Sequence, residues 1–294
     1  MPEKFKSAFV AVIGRPSAGK STLINQICSY KLAIVSPVPQ TTRNIIRGIK
    51  TSAAYQFVFL DTPGLHDSEK AINLKLRDAA LQTLSDSDLV LYVVDSTRAP
   101  GPEEESIISK LAPFKSKTFI AINKSDAKSS DVAGTKEFLT EKLPGTKQFV
   151  ISALKGEGID SVLQALEEAA PEGPAYYPED IYSDQEPVFR IAEIIREKVF
   201  LNTKDELPHA VYVEYTSHHK LDDGSLVYEG NLVTERESQK GILIGAKGSM
   251  IRRIREEAEQ DLEEVFGYPV RLSLKVKVNA NWKKDKQLLK RILG

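Results

Sequence analysis

The octapeptide Gly14-Arg15-Pro16-Ser17-Ala18-Gly19-Lys20-Ser21 constrains this chain more than any other stretch, because of what flanks it. An apolar run over 8–13 leads in, and an amphipathic segment over 20–29 leads out. A Gly-x-x-x-x-Gly-Lys-Ser turn between a strand and a helix lets backbone N–H groups curl around phosphate oxygens at a helix N-terminus. In such a loop Lys20 reaches the β- and γ-phosphates and the Ser21 hydroxyl ligates Mg2+, with Thr22 closing the phosphate-contacting run. The loop works only at the carboxyl end of a strand, so the surrounding sequence is expected to supply an α/β sheet.

It does. Apolar runs at 8–13, 55–60, 89–94, 118–122 and 147–151 alternate with helix-like stretches at 20–29, 72–84, 103–111, 134–142 and 159–169. Near-continuous hydrophobic strands with helical crossovers predict a mostly parallel sheet covered on both faces. Residues 45–51 read as an edge strand beside 55–61. The run Pro171-Glu172-Gly173-Pro174-Ala175-Tyr176-Tyr177-Pro178 and the acidic stretch after it break the pattern, which predicts a first domain over 1–172 and a linker over 173–187. From 188 to 294 the order becomes helix (188–200), two strands (209–216 and 226–236), a short turn or helix, a longer helix (249–265) and a strand (270–278), a smaller α+β domain.

Base selection is read from a second set of residues. Asn123-Lys124-Ser125-Asp126 follows the strand ending at Ile122, and a carboxylate at Asp126 accepts from both guanine N1–H and the 2-amino group, neither of which adenine offers. Ser152-Ala153-Leu154, after the next strand, is expected to present the Ala153 N–H to guanine O6. Asp61-Thr62-Pro63-Gly64 supplies a carboxylate for Mg2+ and a Gly64 N–H for the γ-phosphate, and Thr42, in Gln40-Thr41-Thr42-Arg43, is the preferred threonine ligand to the metal. Lys20, Thr42 and Gly64 are the expected catalytic set. In order and spacing these elements resemble the translation-factor-related GTPases. Leu65 stands where Ras-like members carry the glutamine that orients the attacking water, which implies slow intrinsic turnover and another water-positioning device.

The C-terminal part is set apart by charge. Residues 236–294 carry 14 Lys and Arg against 8 Asp and Glu, whereas residues 1–235 carry 26 against 33, although the whole chain is near neutral at -1. An anionic partner for that end is implied, nucleic acid or an acidic membrane surface. Within it, Gly245-Ala246-Lys247-Gly248 follows Ile244 and precedes a helix bearing Arg252 and Arg253. Such a Gly-x-x-Gly loop, with Lys240 nearby and an alternating basic strand at 270–278, resembles the KH domain of the type 2 order, in which the loop approaches phosphates of about four unpaired nucleotides. The expected RNA contacts are Lys240, Ile244, Gly245, Ala246, Lys247, Gly248, Arg252 and Arg253.

Composition removes other classes. With 41% hydrophobic and 28% charged residues the chain is globular, its longest apolar runs are strand-sized, and its single cysteine, Cys28, supports neither a disulfide framework nor a zinc site. No secretory h-region precedes Ala8, so a cytoplasmic setting is expected. His218 and His219 adjoin on a strand and point to opposite faces, against a shared metal. Trp282 is open between a core position and a base-stacking one.

Taken together, Pro39-Gln40-Thr41-Thr42-Arg43, Tyr177-Pro178-Glu179-Asp180, Ala192-Glu193-Ile194-Ile195-Arg196-Glu197-Lys198, Glu235-Arg236-Glu237-Ser238-Gln239-Lys240-Gly241 and Val276-Lys277-Val278 before Trp282 make nearly the whole chain similar to the Era family of bacterial ribosome-assembly GTPases. The resemblance implies GTP/GDP and Mg2+ as ligands and binding of the 3′ end of 16S rRNA. It also implies assistance to assembly of the 30S small ribosomal subunit, as a monomer, with peripheral association with the inner membrane. A membrane-surface adaptor binding anionic lipid is the alternative reading, and a GTPase of tRNA modification a third.

Overall fold

The computed structural model describes residues 5–35, 46–62, 80–205, 207–285 and 287–289. They form two compact units, the first holding 5–33 and 46–184, the second 34–35 and 185–289.

In the first unit six strands line up in the order β2-β3-β1-β4-β5-β6. They are β1 (Lys6–Ile13), β2 (Ile46–Thr51), β3 (Tyr55–Asp61), β4 (Leu89–Asp95), β5 (Thr118–Asn123) and β6 (Gln148–Val150). All neighbours are parallel except β2, which pairs antiparallel with β3 as an edge strand, in agreement with the sequence reading. The central strands are apolar on both faces because helices cover both. Val10, Val12, Phe57 and Leu91 pack beneath the helices Lys20–Cys28 and Ile159–Ala169, while Ala11, Ile13, Val90 and Ile122 pack on the other face with residues of Pro102–Leu111 and Val132–Lys142. Of the helix expected over 72–84, residues 80–84 are helical and the rest lie outside the described residues. The chain leaves β1 with β3 on one side and β4 on the other, and at such a switch point the carboxyl ends of the strands open a crevice for a ligand.

The stretch expected as a linker over 173–187 behaves differently up to Asp184. Gln56 in β3, fully buried, accepts from the N–H groups of Tyr176 (2.7 Å) and Tyr177 (2.9 Å) and donates to the Tyr177 carbonyl (2.9 Å). The Ile49 N–H of β2 donates to the Tyr182 carbonyl at 2.9 Å, and Tyr182 stacks on Tyr30 with centroids 3.9 Å apart. The segment is a strap on the first unit, and the boundary between the units falls at 184/185. Proline and charge in the sequence mark the loss of regular structure there; they do not report the hydrogen bonds that dock it.

The second unit packs the helices Pro187–Asn202 and Ser249–Phe266 on a three-stranded sheet ordered β7-β8-β9, made of Tyr212–Lys220, Leu226–Thr234 and Val270–Val278. β7 is antiparallel to β8 and β8 parallel to β9. The strand expected at 209–216 starts at 212 because Pro208 opens a 3-10 turn over Pro208–Ala210. In β9, Val270 and Leu272 are buried while Arg271, Ser273, Lys275 and Lys277 are exposed, the alternation the sequence showed. Trp282 is fully buried, its indole N–H donating to the Ala210 carbonyl at 3.2 Å and its ring 5.0 Å from Tyr212. That settles the alternatives for Trp282 in favour of the core. Cys28 is buried too, and no group of three metal-ligating side chains occurs among the described residues.

Candidate nucleotide site and nucleic-acid loop

The loop from Gly14 to Ser21 sits where β1 ends and the helix Lys20–Cys28 begins. Two of its glycines are required sterically: a Cβ on Gly14 would lie 2.3 Å from the Val93 carbonyl oxygen, and one on Gly19 (φ +95°) 2.3 Å from Asn123 Nδ2. Ser17 is the exposed residue of the turn and takes a left-handed φ of 62°. Pro16 is half-buried and Ala18 buried.

Lys20 is 7% exposed, and its Nζ donates to the carbonyls of Gly14 and Arg15, both at 3.1 Å. Burial holds the ammonium below the usual lysine range, an effect the nearby Asp61 carboxylate offsets in part. A buried cation seated on two backbone carbonyls at the start of a helix fits an anionic ligand, which would return the charge stabilisation that burial removes. The Ser21 hydroxyl donates to Asp61 Oδ2 at 2.6 Å, so the two expected metal ligands of the described residues already converge, as oxygen donors suited to a hard cation. Thr62, buried, donates from Oγ1 to the Val12 carbonyl at 2.8 Å and fixes the end of β3 against β1. Thr22, half-buried, follows in the first turn of the helix. Thr42, Pro63, Gly64 and Leu65 lie outside the described residues.

The base-reading residues are brought to the same end of the sheet. Asn123, at the end of β5, donates through Nδ2 to the Ala18 carbonyl (2.9 Å) and accepts through Oδ1 from the Ala153 N–H (2.9 Å). One carboxamide thereby ties the phosphate loop, β5 and the loop after β6 together. The Ala153 N–H, expected to face guanine O6, lies at this same end of the sheet and here donates to Asn123. Ser152 donates to Asp126 Oδ1 at 2.6 Å, the main cause holding that carboxyl below the usual aspartate range. An ionised Asp126 is what two guanine donors require. Leu154 is exposed at the rim.

Sequence reading missed Asp95. At the end of β4 and buried, it accepts from Lys124 Nζ (2.7 Å) and from the Thr97 N–H (2.9 Å) and hydroxyl (2.6 Å). Its burial favours the neutral acid, but the bonds from Lys124 and Thr97 outweigh that and lower its pKa. Lys124 itself is held at φ 66°. The only signal in the sequence is an acidic residue closing an apolar run, which many strands share.

In the second unit the Gly245–Gly248 turn links the helices Glu237–Ile244 and Ser249–Phe266. Gly245 (φ +71°) has no room for a side chain, since a Cβ would lie 2.7 Å from the Met250 nitrogen, whereas at Gly248 (φ +79°) a Cβ would meet nothing within 4 Å. Ala246 and Lys247 between them are exposed, Lys247 at φ 51°. Ile244 is half-buried behind the turn. Arg252 and Arg253 are exposed on the following helix; Arg253 pairs with Glu257 at 2.8 Å and Lys240 with Glu237 at 3.7 Å, surface pairs weak enough to be exchanged for phosphate. The turn is thus an exposed, basic stretch of backbone without bulky side chains.

Comparison with known proteins agrees with both halves. A family model described as 50S ribosome-binding GTPase matches residues 9–124, and one described as KH domain matches residues 206–283. The GTPase Era of Treponema denticola is 48% identical over 291 residues, covering 97% of this chain and 99% of the relative, and that of Borreliella burgdorferi 41% identical over 290 residues, covering 98% and 100%. Among solved structures, an Aquifex aeolicus Era variant bound to GDP.AlF4- superimposes with a TM-score of 0.93 at 32% identity, covering 98% of this chain and 99% of that one. Era in complex with MgGDPNP and nucleotides 1506–1542 of 16S ribosomal RNA gives 0.92 at 31%, covering 98% of each. With relatives of this identity spanning both the phosphate loop with its base-reading residues and the Gly-x-x-Gly turn, the chain belongs to the Era family of GTPases.

Proposed function

We propose that this GTPase is a nucleotide-controlled switch that binds the 3′ end of 16S rRNA through its KH domain and thereby assists assembly and maturation of the 30S subunit. The observation that carries the reading is the Gly245–Gly248 turn: an exposed, left-handed, basic stretch of backbone at the start of an arginine-bearing helix, to which a phosphate chain can come close. The relative crystallised with MgGDPNP and nucleotides 1506–1542 of 16S rRNA supports both ligands of the switch. In the nucleotide site Lys20 and the loop amides hold the β- and γ-phosphates, Asp126 selects guanine, and Ser21 with Asp61 holds Mg2+. The metal, when bound, neutralises charge developing on the phosphates. Thr42 and Gly64 complete the site as the γ-phosphate-sensing residues, and GTP hydrolysis to GDP resets it. The protein acts as a cytoplasmic monomer, with peripheral association at the inner membrane. Among the described residues no helix is long and apolar enough to cross a membrane.

The test is binding of the full chain to a panel of short single-stranded RNAs, including the 3′ end of 16S rRNA, with a GTP analogue, GDP or no nucleotide, alongside anionic vesicles. Selective binding to the 3′ end, tightened by the analogue and weakened at least tenfold by Gly248→Asp, is the expected result. Binding without base or nucleotide preference, matched on vesicles, would overturn it in favour of a lipid-binding adaptor.

A further inference from the structure

The second residue of the phosphate loop carries a charged side chain that is buried in the protein. Arg15 is 4% exposed, and its guanidinium turns toward the helix Pro102–Leu111. There Nε forms an ion pair with Glu104 Oε2, and Nη1 lies 3.8 Å from Glu103 Oε2 at the surface. Glu104 is fully buried, and its other oxygen, Oε1, accepts from the Tyr92 hydroxyl at 2.7 Å. Tyr92 is fully buried in β4.

Buried ion pairs add little to stability over an apolar pair of the same volume, so their presence is better explained by the geometry they impose. Here that geometry bears on one atom. The carbonyl of Arg15, with that of Gly14, seats the Lys20 ammonium at 3.1 Å, and Lys20 is itself buried. A residue clamped through its side chain to a helix and a central strand cannot shift its carbonyl, and an ammonium on two fixed carbonyls meets phosphate at a fixed place. We infer that Glu104, held by Tyr92, is a positioning residue for the phosphate loop, acting through Arg15 on the seat of Lys20. The inference concerns the nucleotide reaction and stands apart from the RNA reading above.

The experiment follows release of N-methylanthraniloyl-GDP with Mg2+ from the full-length protein by stopped flow, well below each variant's melting temperature. Glu104→Gln keeps the shape and removes the charge; it accelerates release by about tenfold, and Tyr92→Phe by about threefold, as expected for losing a charged and a neutral partner. Arg15→Met combined with Glu104→Gln releases no faster than the faster single variant, because both break one chain of contacts. Ile107→Val, a cavity in the same helix, lowers the melting temperature without changing release. Wild-type release from folded Glu104→Gln and Tyr92→Phe would overturn the inference, and so would equal acceleration by Ile107→Val, which would reduce the pair to general support of the fold. If Glu104→Gln fails to fold, Tyr92→Phe and Arg15→Met carry the test.

Discussion

Replacing Asn123 with alanine tests the brace at the centre of the nucleotide site. Asn123 is 2% exposed, and its carboxamide meets the Ala18 carbonyl and the Ala153 N–H, both at 2.9 Å and both on buried residues. Alanine leaves a buried acceptor and a buried donor unmatched, each costing about 1–3 kcal/mol, so a loss of about 2–6 kcal/mol is expected before any solvent enters. For a unit of this size that is a drop of about 5–20 °C in the melting transition of the GTPase part, read by calorimetry on the full chain. Asn123→Asp is nearly isosteric and still able to accept from Ala153, yet it sets a carboxylate against the Ala18 carbonyl and so destabilises at least as much as alanine. Both variants also release GDP faster, because Ala18 belongs to the phosphate loop. A loss below about 1 kcal/mol in Asn123→Ala would refute the reasoning, since it would mean that the two groups find equivalent partners without the side chain.

Other residues give sharper readouts. Asp126→Asn shifts base preference from guanine toward xanthine in competition binding; an unchanged guanine preference would remove Asp126 from base reading. Gly245→Ala, with a Cβ 2.7 Å from the Met250 nitrogen, costs more stability than Gly248→Ala, where the added carbon meets open space and only the left-handed backbone resists, by about 1–2 kcal/mol; equal losses in urea unfolding would contradict that geometry. Asp95 has a lowered pKa in the folded chain, so its contribution is present above the unfolded aspartate value, near 3.9, and is lost as pH falls through the folded one. Asp95→Asn therefore flattens the acid limb of stability against pH while changing little of its shape above pH 6, and an unaltered acid limb would count against the Lys124 pair.

The mostly parallel sheet around Gly14 and the α+β second unit were legible in the sequence because their causes are local: apolar runs, glycine spacing and a period of two from Val270 to Val278. That Lys20, Asp61 and Asn123 gather at one end of the sheet was legible because each closes or follows an apolar run. What the sequence hid are bonds between residues distant along the chain. Ala18 and Asn123 meet across 105 positions, and nothing near either announces the other. Arg15 read as a loop residue although its side chain belongs to a helix that begins at Pro102. The bond from the Ala153 amide to Asn123 spans 30 positions and is equally silent in the sequence. Ser17 is a further case: its φ of 62° is a left-handed conformation that serine rarely adopts, and nothing in the residue order of the loop announces it.

The strap from Tyr176 to Asp184 bears on how this protein is made. An edge strand such as β2 offers unpaired backbone groups to any other chain, and here the Ile49 amide is taken by the Tyr182 carbonyl, with the Tyr30–Tyr182 stack beside it. During synthesis the sheet is complete once β6 has emerged, yet its edge stays open until about thirty more residues have left the ribosome. A chain ending at 172 would carry every nucleotide-binding residue and still present a bare edge. Its expected fate is association with its own copies at concentrations where the chain ending at 184 remains monomeric.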